Sequence, residues 1–210
     1  TAGAGASSSF FFLNQLNMGL TISYRGTLRK PDELELFLED IADICMEIGW
    51  ASMPIHRSNI MPVQGVQITP AGSESIWLTF LPNGRLYDPT HFIFTRHPDK
   101  EVVDEEKHKR IFTKTQYAGV DTHMAIIKFF RYLRMRYFED FELRDDSQYW
   151  ETNDISVCLK NFGVIDQDLY GLPGIFESLE DDEEDGDDDS AADRMDEALL
   201  GRGGFGINLN

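Results

Sequence analysis

The stretch from Asp121 to Tyr137 most restricts how this chain can fold. At about 100° per residue, one narrow arc of a helix collects apolar side chains and one histidine, namely His123, Ile126, Phe130, Leu133 and Tyr137. The basic residues Lys128, Arg131 and Arg134 form a stripe on the far side. Asp121 is a favourable N-cap residue, so we expect the helix to begin there. The pattern predicts a long helix with one face buried in a core.

A second amphipathic helix is predicted over residues 32–48. Its apolar side chains fall within about 120° of arc, and they are Leu34, Phe37, Leu38, Ile41, Ile44, Cys45 and Ile48. The acidic residues on its other face are Glu35, Glu39, Asp40, Asp43 and Glu47. Gly49 follows where a left-handed cap usually ends a helix. If the two helices are neighbours, the acidic face of this helix meets the basic stripe of the other.

Short segments with alternating or apolar character predict strands around these helices. They are LTISYRGTL (20–28), WASMPI (50–55), GVQIT (65–69), SIWLTF (75–80), HFIFT (91–95), IFTKTQY (111–117) and FELR (141–144). A tight-turn signal at 82–84 predicts that SIWLTF pairs with RLY as a hairpin. Residues 154–162 predict a short helix capped by Asp154. This order predicts an α+β fold, in which a mainly antiparallel sheet carries two long helices packed on one face.

The charge of the chain is concentrated near its C-terminal end. The net charge is −18, and residues 163–210, with 15 acids and 2 bases, contribute −13. Ten of those acids lie between Glu177 and Asp189, a density that disfavours collapse into a core. We therefore predict an N-terminal extension or vector-derived segment (1–17), a globular α+β domain (18–162) and an acidic, largely disordered tail (163–210). Within the tail, SAADRMDEALL (190–200) has the pattern of a weak amphipathic helix. The domain has no basic excess, so we expect no nucleic-acid partner.

The two cysteines and the hydropathy pattern predict the compartment. Cys45 and Cys158 lie in apolar helical patterns, which indicates buried free thiols and a reducing environment. No run reaches the roughly 18 apolar residues that a membrane span needs. We expect a cytoplasmic protein with no membrane partner.

His123 is the strongest candidate for chemistry. It lies in the first turn of the long helix, where the helix dipole favours a neutral imidazole that can donate, accept or bind a metal. Asp145, Asp146 and Glu151 follow the next strand, and histidine with carboxylates is the minimum set for activating a water. The alternative is a buried, hydrogen-bonded histidine beside solvated acids of a turn.

Further residues are candidates for binding. Arg25, His56 and Glu74 lie at strand ends, and Tyr149 and Trp150 form either an aromatic wall of a pocket or one edge of the core. No histidine or cysteine pair has the spacing of a zinc site, and no glycine-rich phosphate loop follows a strand. We therefore predict no metal site and no cofactor.

Several strings resemble a family of uncharacterised conserved bacterial proteins. They are LTISYRGTL, IWLTF with NGRL, KTQYAG, the helical His123 and YWET. The resemblance covers about residues 18–155 and excludes the acidic tail. It implies a compact bacterial cytoplasmic α+β domain, and it brings no known activity, cofactor or catalytic residue. It draws interest to His123, Glu74 and Tyr149–Glu151.

These observations lead to two main hypotheses of function. The first is a non-catalytic interaction or regulatory protein, whose acidic tail engages a basic protein partner or merely keeps the chain soluble. The second is a metal-assisted, hydrolase-like enzyme centred on His123, with Asp145, Asp146 or Glu151 as ligands or bases. The enzyme hypothesis requires these side chains to converge at a concave pocket. Small-ligand binding under the sheet is a third possibility.

Overall fold

The computed structural model describes residues 20–59, 61–90, 110–164 and 190–202, and they form the predicted α+β fold. The elements are β1 (Thr21–Leu28), α1 (Leu34–Ile48), β2 (Ala51–Ile55), β3 (Gln64–Thr69), β4 (Ile76–Phe80), β5 (Ile111–Lys114), α2 (Gly119–Tyr137), β6 (Phe138–Asp145), α3 (Tyr149–Thr152), α4 (Ile155–Asn161) and α5 (Ala191–Leu200). The predicted strand 91–95, the segment 1–17 and the acidic stretch 177–189 lie outside the described residues.

The strands form two antiparallel sheets of three, in the orders β5-β1-β6 and β2-β3-β4. Residues 84–87 join them, because Leu86 N–H donates to Gly26 O and Tyr87 N–H donates to Thr79 O, each at 2.9 Å. The predicted hairpin between β4 and RLY is therefore confirmed. The sheet is divided because β5 covers only the first half of β1, and Arg85 pairs with Thr27 in the second half.

β1 is the central strand of the first sheet, and it separates a buried face from an outer face. Ile22 and Tyr24 are fully buried, whereas Arg25 and Thr27 lie on the outer side. Gly26 allows β6 to approach closely, since a Cβ atom there would lie 2.5 Å from Asp140 O.

Both long helices bury the apolar arcs that their periodicity predicts in one core. The ring of Phe37 in α1 packs edge-on against Phe80 and Phe138, and the ring of Tyr24 lies 4.6 Å from that of Phe130 in α2. Gly49 ends α1 with a φ of 76°, as predicted. Both cysteines are buried free thiols. None of the described helices is both long and apolar enough to cross a membrane.

The last helix corrects the predicted domain boundary. Residues 190–202, which we assigned to the tail, belong to the folded unit. The helix predicted at 190–200 is present as α5, and it contacts both α1 and α2. Its face of Met195, Ala198 and Leu199 is buried in the core. The physical reason is the i, i+3, i+4 spacing of these residues, which gives the segment an apolar side in spite of its acids.

α5 also takes the polar partners that we expected elsewhere. The carboxylate of Asp121 accepts from the N–H groups of Ala191 and Ala192 at 2.6 and 3.0 Å, so it caps α5 and not α2, which begins two residues earlier. Lys128 Nζ pairs with Asp196 Oδ2 at 2.6 Å. The predicted contact between the acidic face of α1 and the basic stripe of α2 is therefore wrong, because α5 supplies the acid.

We predict that Met195→Ala lowers the free energy of unfolding by about 2–4 kcal/mol, because it leaves a cavity where α5 meets the core. Arg194 is an exposed residue of the same helix, so Arg194→Ala serves as the control, with an effect within about 0.5 kcal/mol. Urea unfolding followed by circular dichroism measures both. Equal stabilities for the two variants would contradict the docking of α5.

Candidate functional site

Four buried polar side chains meet near the N-terminal end of α2, and we call them the His123 cluster. They are Thr115, which follows β5, His123 in α2, Asp145 at the end of β6, and Ser147 in the turn before α3. The side chains of His123 and Asp145 have no exposed surface. Of the candidate residues, the structure thus brings His123 and Asp145 together.

The ring of His123 has a partner at each nitrogen. Thr115 Oγ1 lies 2.7 Å from Nδ1, and Ser147 Oγ lies 2.8 Å from Nε2. Nε2 is also 3.2 Å from Asp145 Oδ1. Because the single hydroxyl proton of Ser147 is donated to Asp145 Oδ2 at 2.7 Å, Nε2 must carry a hydrogen and act as the donor.

Asp145 receives donors from three directions. Besides His123 and the Ser147 hydroxyl, its carboxylate accepts from the backbone N–H of Ser147 at 2.8 Å and of Trp150 at 3.0 Å. Burial opposes ionisation of this group, but the hydrogen bond and charge of His123 and the donors at Ser147 and Trp150 outweigh burial and hold the pKa of Asp145 below its usual value. The cluster therefore contains an ionised carboxylate at neutral pH.

The turn that carries Ser147 is held from both sides. Gln148 has a φ of 63°, a left-handed conformation that is uncommon for a residue with a side chain. Gln148 N–H donates to Asp145 O at 3.0 Å, and Asn161 Nδ2 donates to Ser147 O at 2.8 Å. These bonds direct the chain from β6 into α3 and keep the Ser147 hydroxyl pointed at the cluster.

Tyr149 and Trp150 form an edge of the core. The ring of Trp150 lies 6.2 Å from that of Phe141, and Tyr149 is buried. Arg131 Nη2 donates to the carbonyl oxygens of both residues, at 2.9 and 3.3 Å, and its guanidinium lies 5.2 Å from the Tyr149 ring centre. Arg134 lies over the Trp150 ring. Arg131 and Arg134 of the basic stripe therefore hold α3 in place.

The other candidate carboxylates do not join the cluster. Asp146 and Glu151 are exposed. Asp146 Oδ2 accepts from the N–H of Thr21 at 3.1 Å, which ties the end of β6 to β1. Within the described ranges, neither carboxylate forms a hydrogen bond or ion pair with His123.

The remaining candidates lie on separate surfaces. Arg25 Nη2 pairs with Glu142 Oε1 at 2.6 Å and lines a cleft. His56 is exposed in the loop after β2. Glu74 Oε2 accepts from Lys114 N–H at 3.1 Å, which connects the start of β4 to β5. The structure therefore does not assemble these three residues with His123.

The geometry of the cluster suits structural support better than nucleophilic catalysis. In a serine–histidine–aspartate triad the serine and the aspartate contact opposite ring nitrogens, whereas here Ser147 and Asp145 both contact Nε2. Burial raises the pKa of the adjacent Cys158 thiol to about 11, so this thiol stays protonated. No three His, Cys, Asp or Glu side chains in the described part of the chain are arranged to hold a metal ion.

Sequence reasoning missed Thr115 and Ser147. The only signal for Ser147 was the string Asp145-Asp146-Ser147, in which an aspartate two residues before a donor is typical of a side-chain turn. Thr115 carried no signal, because the contact of its hydroxyl group is with His123, which lies on another element.

We predict a pH dependence of stability that Asp145→Asn removes. Because the folded pKa of Asp145 lies below that of the unfolded chain, the carboxylate stabilises the fold above about pH 4, and this contribution is lost as the pH falls through the folded pKa. Urea titrations over a pH series should show that Asp145→Asn has a lower free energy of unfolding than the wild type at neutral pH. Its free energy of unfolding should also fall less steeply as the pH is lowered. The exposed Asp146→Asn should keep the wild-type slope; parallel curves for Asp145→Asn and wild type would count against the ionised carboxylate.

We also predict strong coupling between His123 and Asp145. A double-mutant cycle with His123→Asn and Asp145→Asn should give an interaction free energy of about 1–3 kcal/mol, since the pair is desolvated. The matched control is the partly exposed pair Arg25 and Glu142, each changed to Gln. That cycle should give less than about 1 kcal/mol. Additive effects at the buried pair would show that the contact contributes nothing specific.

Comparison with known proteins adds no functional assignment to this geometry. No model of a protein family, no curated protein and no solved structure matches the chain. The resemblance to uncharacterised bacterial proteins therefore stays a prediction.

Proposed function

We propose that this protein is a non-catalytic interaction protein, in which the acidic stretch 177–189 engages a basic surface of a protein partner. The observation that carries the proposal is the docking of α5. Because α5 returns to the core after the acidic stretch, that stretch is joined at both ends to folded elements, α4 and α5. In sequence, its ten acids therefore lie between two elements of the folded unit.

Several acids of the folded unit have structural partners around α5. Asp121 caps α5, and Asp196 pairs with Lys128. At the other end of α5, Arg202 binds Asp40 at 2.7 Å and also contacts Glu47. Anchoring α5 thus uses acids and bases of the folded unit. The ten acids in 177–189 give the stretch a high density of negative charge, which attracts a basic partner.

The metal-assisted hydrolase hypothesis has less support. It has one favourable contact, the 3.2 Å between His123 Nε2 and Asp145 Oδ1. Both side chains are fully buried, which disfavours the binding of a substrate to them. Two clefts among the described residues are lined by other side chains. The buried, paired state of the cluster favours the role of a structural support.

The proposal predicts electrostatic binding of a basic probe. A lysine-rich peptide labelled with a fluorophore should bind the full chain, and its dissociation constant should rise with salt, because screening shortens the range of the field to about 8 Å at 0.15 M. A variant with all ten acids of 177–189 changed to the corresponding amides should lose at least about tenfold in affinity. Fluorescence anisotropy measures both.

A scrambled variant of the same stretch is the matched control, because it keeps the ten charges and changes only their order. It should bind as the wild type does. If the amide variant binds as tightly as the wild type, the acidic stretch has no part in recognition and the proposal is lost.

A further inference from the structure

The outer face of the sheet β5-β1-β6 carries arginines from four different segments. Arg25 lies on β1, Arg144 on β6, Arg110 directly before β5, and Arg85 beside Thr27 of β1. We call this surface the arginine face. It is a basic surface on a chain with a net charge of −18.

Glu142 organises the centre of the arginine face. Arg25 Nη2 lies 2.6 Å from Glu142 Oε1, and Arg110 Nη2 lies 2.8 Å from Oε2, so one carboxylate is gripped by two guanidinium groups. Burial lowers the pKa of Arg110, and the like charges of Arg144 and Arg25 lower it further. The pairing shows that the face has the geometry to receive a carboxylate, and that positive charges crowd there.

Arg144 and Phe112 are two side chains of the arginine face that are open to a partner. They flank Ser23 on the same side of the sheet, because Ser23 pairs with Arg144 on one strand and with Phe112 on the other. Phe112 is 56% exposed. The described part of the chain offers Arg144 no hydrogen bond or ion pair. A cleft of about 370 Å³ lies farther along the same face and is lined by Arg25, Arg85, Asp140 and Glu142.

We propose that the arginine face binds an acidic peptide segment of a partner protein. A carboxylate of the peptide pairs with Arg144, and an apolar side chain of the peptide covers Phe112. Arg144 and Phe112 are two strand spacings apart, about 10 Å. Side chains on the same side of an extended peptide are two residues and about 7 Å apart, and the long side chains of arginine and glutamate cover the remaining distance. The face therefore selects an apolar residue followed two positions later by an acid. This inference goes beyond the proposed function, since it uses a different surface and a partner of opposite charge.

A peptide fits this face better than a single-stranded nucleic acid. Sheets that bind single strands stack two or three bases on aromatic side chains, whereas Phe112 is the exposed aromatic residue among the described residues of this face. Asp140 and Glu142 lie between the arginines and repel a continuous phosphate backbone. A peptide carries its carboxylates on separate residues, so it can place them at the arginines and away from Asp140 and Glu142.

The overall negative charge does not prevent such binding. At about 0.15 M salt the Debye length is about 8 Å, so charges on distant parts of the molecule are screened from the face. Contacts within the face then dominate, and guanidinium groups bind carboxylates through two parallel hydrogen bonds.

The test is a titration of the isotope-labelled full chain with a peptide that contains Leu-Ser-Glu-Ser-Glu, followed by NMR. Shifts should concentrate in β5, β1 and β6. Arg144→Gln should weaken binding about threefold, and Phe112→Ser about fivefold. Arg57 is exposed in the loop after β2, so Arg57→Gln is the matched control for the loss of one charge and should bind as the wild type does.

Both variants replace exposed residues, and an unchanged spectrum away from the face confirms that they fold. Equal affinities for Arg144→Gln and Arg57→Gln would overturn the proposal. Tighter binding of an oligouridine at the same residues would overturn it in favour of nucleic acid. Peptide binding that appears only after the acids of 177–189 are changed to amides would overturn it in favour of that stretch as the occupant.

Discussion

A carboxylate that is buried in a protein needs hydrogen-bond donors around it. For Asp145, three parts of the fold supply them. Its donors come from α2, from the turn after β6 and from the start of α3. Each of these elements must therefore lie where its donor reaches the carboxylate. The left-handed conformation of Gln148 follows from the same requirement, because it turns the chain back toward Asp145. A buried charge thus sets the geometry at this end of the domain.

The elements that local pattern determines could be predicted from the sequence. The arc of α1 is one example, because its apolar spacing and Gly49 are local features. The candidate site was predicted in part, since His123 lies on a buried arc and Asp145 follows a strand. Thr115 and Ser147 could not be found in this way, because their hydroxyl groups are recruited by residues on other elements.

Asp121 shows the limit of local reasoning most clearly. Its position before an apolar arc is typical of an N-cap, yet its carboxylate accepts from Ala191 and Ala192, about seventy positions away. The acidic composition of residues 163–210 concealed the packing of α5 on the domain for a related reason. Average charge describes a whole segment, whereas docking depends on one face of ten residues. Met195 and Leu199 give α5 that face.

The long separation of α5 from its partners has a consequence for synthesis of the chain. Arg202 and Asp40, which bond to each other, are 162 positions apart, and β1 must wait for β6 to complete its sheet. Contacts between residues so far apart in sequence form late in folding, because the entropy cost of closing the long loop comes before the contact stabilises the fold. The ribosome must therefore synthesise the chain through α5 before the core can close. Until then the apolar sides of α1 and α2 are open to chaperones and to aggregation.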